Sequence, residues 1–239
     1  MIFLALLLAC QPPHTPGPLV GAHRGLSPGE PENTLHAFRH SNDRTTDGTG
    51  RVADLTLRQI NALDAGIKTG AQFKGERVPT FSDVLSLAQS SSVILVLDIK
   101  RGKTLDIDGV VRQARAFGMQ DRIILAVRTL EDLRRVDAID PRLASLALVE
   151  EPEDIEAFAA AGADIIRLWS DWLVDREGRE RASAADLVAS VRNRGKGLWI
   201  LVGRYVPPSP DGRRSLHDKL KCAPYDAILT DDPASLLNR

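Results

Sequence analysis

From Leu19 onward, short apolar runs alternate with amphipathic stretches in one repeated pattern. The apolar runs are "LVGAH" (19–23), "VILVLDI" (93–99), "RIILAV" (122–127), "LASLALV" (143–149), "DIIRLW" (164–169), "LWILV" (198–202) and "DAILT" (226–230). Each precedes a segment with helical spacing, at 33–40, 106–118, 129–139, 152–162, 183–195, 213–222 and 232–237. Runs that are apolar throughout are strands buried on both faces, and a helix after each one predicts a parallel sheet. Thr129 with Asp132 forms a capping box in its Asp form, and Gly118, Gly162 and Gly195 stand where helices must stop. The unchanging βα repeat predicts an α/β fold of the (β/α)₈, TIM-barrel type.

The repeat is one strand short. Seven strands are legible, whereas closure of this barrel takes eight, and the stretch without a buried strand lies between His23 and Val93. Within it, "AFRHSNDRTTDGTG" (37–50) passes with no spacer from the apolar end of a helix into Asp, Thr and Gly residues that read as loop. A short helix follows in "LTLRQINALDAG" (55–66), and Pro79 and Thr80 open another in "FSDVLSLAQ" (81–89). The helix at 33–40, only about eight residues long, is too short to cross back over a sheet. The expected fold is therefore a barrel lacking its second βα strand unit.

The first ten residues, "MIFLALLLAC", are apolar throughout and too few to span a bilayer, which takes about 20. The run fits the hydrophobic region of a secretory signal. Its "LLAC" ending is similar to the lipobox of bacterial lipoproteins, in which Cys10 would be lipidated and become the mature N-terminus. "QPPHTPGP" behind it, too rich in proline for helix, would be the tether. Residues 1–18 thus read as leader and tether and residues 19–239 as the barrel domain, of a secreted or membrane-anchored lipoprotein of the cell envelope. An uncleaved apolar end or a misplaced start codon is the plainer reading. Beyond Cys10 only Cys222 remains, so the domain forms no internal disulfide.

Charge narrows the partners. Lys and Arg number 31 against 32 Asp and Glu, so no net field attracts nucleic acid, and a membrane is reached only through the N-terminal anchor. The expected partner is a small molecule. In a parallel barrel the active site lies at the carboxyl ends of the strands. There the sequence places His23 and Arg24, Asp98 and Lys100, Glu150 and Glu151, Trp169, Arg204, Asp231 and Asp232. A histidine that can accept a proton near neutral pH, cations that stabilise phosphoryl oxygens and carboxylates that hold a hard divalent ion together suggest metal-assisted hydrolysis of a phosphoester. Each has a structural reading beside it. His23 could sit in a surface turn, Asp98 and Lys100 could form an ion pair, Glu32 could cap a helix, and Asp231 and Asp232 could cap the last one. Trp199 could be barrel core.

"GAHRGLSPGEPENTLHAF", followed in order by "DRTTDGTGRVADLTLRQINALDAG" with "GERVPTFSDVL", then "VLDIK" and "DAILTDDP", resembles the glycerophosphodiester phosphodiesterase family over nearly all of residues 20–237. The resemblance implies a (β/α)₈ barrel that hydrolyses glycerophosphodiesters to an alcohol and glycerol 3-phosphate, with Ca²⁺ or Mg²⁺. It implies His23 as one of two catalytic histidines, Arg24 and Lys100 as phosphate contacts, and Asp98 as a metal ligand where many members carry Glu. Glu32 would line the same mouth as a further ligand. After Pro-Glu-Asn-Thr the family continues into a second strand bearing Glu-x-Asp and then a His-Asp pair. Here roughly 30 residues, about one βα unit, are missing at that point. His40 is the one candidate for the second histidine. With the two carboxylates gone, a divalent ion held by Asp98 and Glu32 would be loosely bound. Two alternatives follow: a degenerate barrel that binds phosphodiesters without turnover, and a lysolipid phosphodiesterase of the phospholipase D type.

Overall fold

The computed structural model describes residues 2–8, 19–23, 46–49, 54–99, 106–175, 177–202, 216 and 225–231. In chain order the strands are β1 (Ile2–Leu8), β2 (Leu19–Ala22), β3 (Ile94–Ile99), β4 (Ile123–Val127), β5 (Ala144–Leu148), β6 (Ile165–Trp169), β7 (Gly197–Leu201) and β8 (Ala227–Thr230). The seven apolar runs after residue 18 are the seven strands β2 to β8. They pair in parallel through β3-β4-β5-β6-β7-β8-β2, a curled sheet of the expected order.

Both faces are covered, as continuous apolar strands require. Side chains alternate along each strand with period two. One set, including Val96, Ile124, Leu146, Trp199 and Leu229, packs together inside the barrel. The other, including Leu95, Leu125, Ile166, Leu198 and Ile200, packs outward against the helices. Trp199 is core, as its plainer reading has it.

The described helices are α1 (Leu57–Asn61), α2 (Phe81–Gln89), α3 (Ile107–Ala116), α4 (Leu130–Ile139), α5 (Asp154–Ala160) and α6 (Ala184–Arg192). Thr56 with Gln59 and Thr80 with Asp83 form capping boxes, and Thr129 accepts from the Asp132 amide. Gly118, Gly162 and Gly195 adopt positive φ just past α3, α5 and α6, the conformation that stops a helix. The helices expected at 33–40 and 232–237 lie outside the described residues, as does all but Leu216 of that at 213–222.

No parallel strand stands between β2 and β3 among the described residues. That seam is filled by β1, which runs antiparallel to both neighbours, from Ile2 opposite Ile99 to Leu7 opposite Ile94 on one side and from Leu6 opposite Ala22 to Leu8 opposite Val20 on the other. The sheet thereby closes as β1-β2-β8-β7-β6-β5-β4-β3. The sequence reading sets residues 1–18 outside the barrel; in the structure Ile2–Leu8 lies within the sheet. The physical reason is the lost unit: it leaves two sheet edges with unmatched backbone groups, and a short apolar segment can satisfy both.

Residues 64–75, ahead of α2, are organised by Asp64. Its carboxylate accepts the amides of Gly66 and Ile67 at 3.0 Å and of Gly75 at 2.7 Å, and its own amide donates to Asp47 at 2.8 Å. These donors, Gly75 foremost, offset partial desolvation and hold the Asp64 carboxyl below the usual carboxylate range. At the amino end of the barrel Asp226 accepts both Arg192 Nη atoms, at 2.8 and 2.9 Å, and the Leu198 amide at 2.7 Å, tying α6, β7 and β8 together.

Candidate active site at the carboxyl rim

His23 follows β2 directly and Asp231 follows β8, its parallel neighbour, so pairing of the two strands delivers both side chains to one side of the mouth. Both keep the inward parity of their strands, set by Leu19 on one and Ala227 and Leu229 on the other. His23 Nδ1 lies 2.8 Å from Asp231 Oδ1. Beside an ionised Asp231, Nδ1 carries the proton and donates, which leaves Nε2 as the acceptor. Asp231 thus orients a histidine, a use its reading as a helix cap does not contain.

On the far side of the seam, Asp98 near the end of β3 follows Ile94 and Val96 inward, and Arg128 just past β4 follows Ile124 and Ala126. Arg128 donates through Nη1 to Asp98 Oδ1 and, at 3.0 Å, through Nη2 to Asp98 Oδ2, a bidentate pair. Its Nε lies 3.7 Å from Glu150 Oε1, past the end of β5. The pair is largely shielded, Asp98 being 15% exposed and Arg128 22%, while Glu150 is half exposed at 48%. A parallel sheet with inward parity at 98, 128 and 150 brings an acid, a base and an acid to one arc of the rim. Below it Arg167 of β6 is buried inside the barrel, its guanidinium 4.0 Å from the centre of the Trp169 ring. A cation stacked on an aromatic face is favourable, the more so away from water.

Of the residues marked in the sequence, the structure brings His23 to Asp231, Asp98 to the neighbourhood of Glu150 through Arg128, and Trp169 to Arg167. Glu151 stands apart: its carbonyl accepts the Asp154 amide ahead of α5. Cys10, Arg24, Glu32, His40, Lys100, Arg204 and Asp232 lie outside the described residues. Arg128 and Arg167 are absent from the sequence list, although two signals mark them. Arg128 continues the inward alternation one step past its strand, and Arg167 is a charge in an otherwise apolar buried run.

The described residues do not make a seat for a divalent ion. No three His, Cys, Asp or Glu side chains among them converge on a common point. Asp98, the one expected ligand described, has both oxygens engaged by Arg128.

A barrel of seven parallel strands closed by one antiparallel strand, with an oriented histidine, carboxylates and guanidinium groups at the carboxyl ends of the parallel strands, has the layout of a barrel hydrolase. The chain belongs to the glycerophosphoryl diester phosphodiesterase family, whose model matches residues 40–161. It is 28% identical to a glycerophosphodiester phosphodiesterase of Caldanaerobacter subterraneus, over 92% of this chain and 96% of the relative. That alignment takes 250 positions, so about 30 of them face gaps in this chain, the size of one βα unit. Among solved structures, a glycerophosphoryl diester phosphodiesterase from Parabacteroides distasonis superposes with a TM-score of 0.70 at 17% identity, covering 98% of this chain and 92% of that one. An Oleispira antarctica phosphodiesterase in complex with the product sn-glycerol-3-phosphate superposes with a TM-score of 0.65 at 19% identity, covering 91% and 94%.

Proposed function

We propose that this chain hydrolyses glycerophosphodiesters, releasing glycerol 3-phosphate and an alcohol. The observation that carries the reading is the His23–Asp231 pair at the rim of a chain of this family. His23, its Nδ1–H held by Asp231, removes a proton through Nε2 from the attacking water or substrate hydroxyl. The nucleophile's oxygen bonds to phosphorus, the bond to the leaving oxygen breaks, and an acid returns a proton to it. His40 is the proposed acid, Arg24 and Lys100 the proposed phosphate contacts, and Glu32 a further carboxylate at the mouth. Asp98 stands in this scheme as the anchor of Arg128, and no step runs through a metal. We propose the N-terminal run as a lipoprotein leader with Cys10 lipidated at the cell envelope. Cleavage before Cys10 would remove Ile2–Leu8 from the seam, so the anchored chain is the open form of the sheet and the chain that keeps β1 the closed one.

The test is incubation of the purified chain with glycerophosphocholine, in EDTA and with Ca²⁺ or Mg²⁺, with enzymatic detection of glycerol 3-phosphate. Release that disappears in His23→Ala is expected. No release under any of these conditions overturns the hydrolase and favours binding without turnover. A cyclic phosphate product in place of glycerol 3-phosphate would point instead to lysolipid chemistry.

A further inference from the structure

Resting on that reading of the rim, we infer that Arg128 is the resident cation of this site, seated on Asp98 where a divalent ion would otherwise stand, and that the phosphate ester binds to it without metal. Three observations converge. Arg128 takes both oxygens of Asp98, so an ion would have to compete with a cation already seated on that carboxylate. Glu150 Oε1 lies 3.7 Å from Arg128 Nε, so the guanidinium has two acids beside it, as a bound cation would. The pair is also largely shielded from solvent, where a charge-assisted bidentate contact holds its geometry against competing water.

A guanidinium carries five N–H donors, and Asp98 engages two Nη groups. The remaining donors suit the oxygens of a phosphate, whose tetrahedral anion guanidinium binds as readily as it binds carboxylate. Asp98 acts here as a positioning residue: it fixes the plane of the fork, and the fork contacts the ligand. An ion at the same point would have to displace Arg128 and leave a shielded guanidinium without its partner, an unfavourable exchange.

The experiment uses the full chain and two probes, sn-glycerol 3-phosphate by calorimetry and Mn²⁺ by electron paramagnetic resonance. The expected result is that the chain binds glycerol 3-phosphate in EDTA and does not bind Mn²⁺ through Asp98. Arg128→Met should weaken glycerol 3-phosphate at least about tenfold in EDTA, from loss of a charge-assisted donor. It should also gain Mn²⁺ binding that the further change Asp98→Asn removes. Arg128→Lys keeps the charge without the fork, and should still exclude Mn²⁺ while binding the phosphate more weakly; it serves if Arg128→Met does not fold, as judged by circular dichroism. Mn²⁺ binding by the unaltered chain that Asp98→Asn abolishes overturns the inference, as does unchanged phosphate affinity in Arg128→Met. Metal-free binding through Arg128 without turnover would sink the hydrolase and leave this inference standing, whereas turnover only with added metal would do the reverse.

Discussion

Replacing Asp231 by Asn tests whether the rim histidine works as a pair or alone. Asn still accepts from His23 Nδ1 through its amide oxygen, so the ring stays oriented; what disappears is the negative charge that stabilises the imidazolium formed when Nε2 takes a proton. With 2.8 Å between Nδ1 and Oδ1, the charge centres lie about 4 Å apart, and at that distance the attraction is about 1 kcal/mol in water and about 4 kcal/mol at an effective dielectric of about 20. Asp231 is half exposed and His23 one quarter, which puts the loss between these limits, about 1.4–2.7 kcal/mol, or roughly 10- to 100-fold in kcat. His23→Ala removes the base itself and should cost about 10²- to 10⁴-fold. The assay is glycerol 3-phosphate release from glycerophosphocholine, measured as kcat and KM separately for the unaltered chain, both single variants and the double variant. Because Asp231 acts through His23, the double variant should be no slower than His23→Ala. If Asp231→Asn slows the His23→Ala background as much as it slows the unaltered chain, Asp231 does something other than stabilise this histidine and the pair is not the catalytic unit.

Asp226→Asn leaves Arg192 and the Leu198 amide without their carboxylate and should lower stability by about 1–3 kcal/mol in urea unfolding; a change below about 0.5 kcal/mol would mean the tie among α6, β7 and β8 is not structural. The Asp64 carboxyl is held below its usual range, so the order it gives to residues 64–75 is fully present above about pH 4 and is lost as pH falls through its lowered value. Protection factors at Gly66, Ile67 and Gly75, taken against the intrinsic exchange rate at each pH, should therefore fall on acidification, and those of Asp64→Asn should already be low at neutral pH; equal protection in both refutes the role. A chain beginning at residue 10 leaves the edges of β2 and β3 open, and should melt lower and self-associate in light scattering relative to the chain that retains Ile2–Leu8. Equal melting and a monomer would show that β1 contributes nothing to closure.

The barrel was legible because its signals are redundant. Seven apolar runs, capping residues such as Thr80 and Thr129, and stops at Gly118 and Gly162 all depend on local periodicity and turn chemistry, which need no knowledge of neighbours. The shortfall was legible for the same reason, since a missing period shows in a repeat. Arg128 was legible only as a position of inward parity; its importance comes from adjacency, since only the lateral pairing of β3 with β4 sets it against Asp98. Arg167 could have been flagged from sequence alone, as an arginine between Ile166 and Leu168 in a run otherwise fit for a core. The placement of Ile2–Leu8 in the seam had no local signal at all, because an apolar heptamer reads the same as leader, strand or buried helix.

Closure of the sheet and restoration of the site are separate matters here. The missing unit would have supplied a parallel strand, whose carboxyl end reaches the rim. By resemblance, that strand carries Glu-x-Asp. β1 enters the seam antiparallel, so its amino end reaches the rim instead: Ile2 stands opposite Ile99 and Phe3 opposite Asp98. From Ile2 to Leu8 the segment contains no acid, base or hydroxyl. It can satisfy backbone groups on the edges of β2 and β3, and it cannot return a ligand or a proton donor to the mouth. What chemistry the described rim retains must therefore come from its two flanks, His23 with Asp231 on one and Asp98 with Arg128 on the other. A guanidinium on Asp98 is what such a loss favours: without the carboxylates of the missing unit, Asp98 and Glu150 would hold a divalent ion only loosely, and the bidentate Arg128 displaces it. An arginine already in the chain neutralises Asp98 without needing an ion from solution.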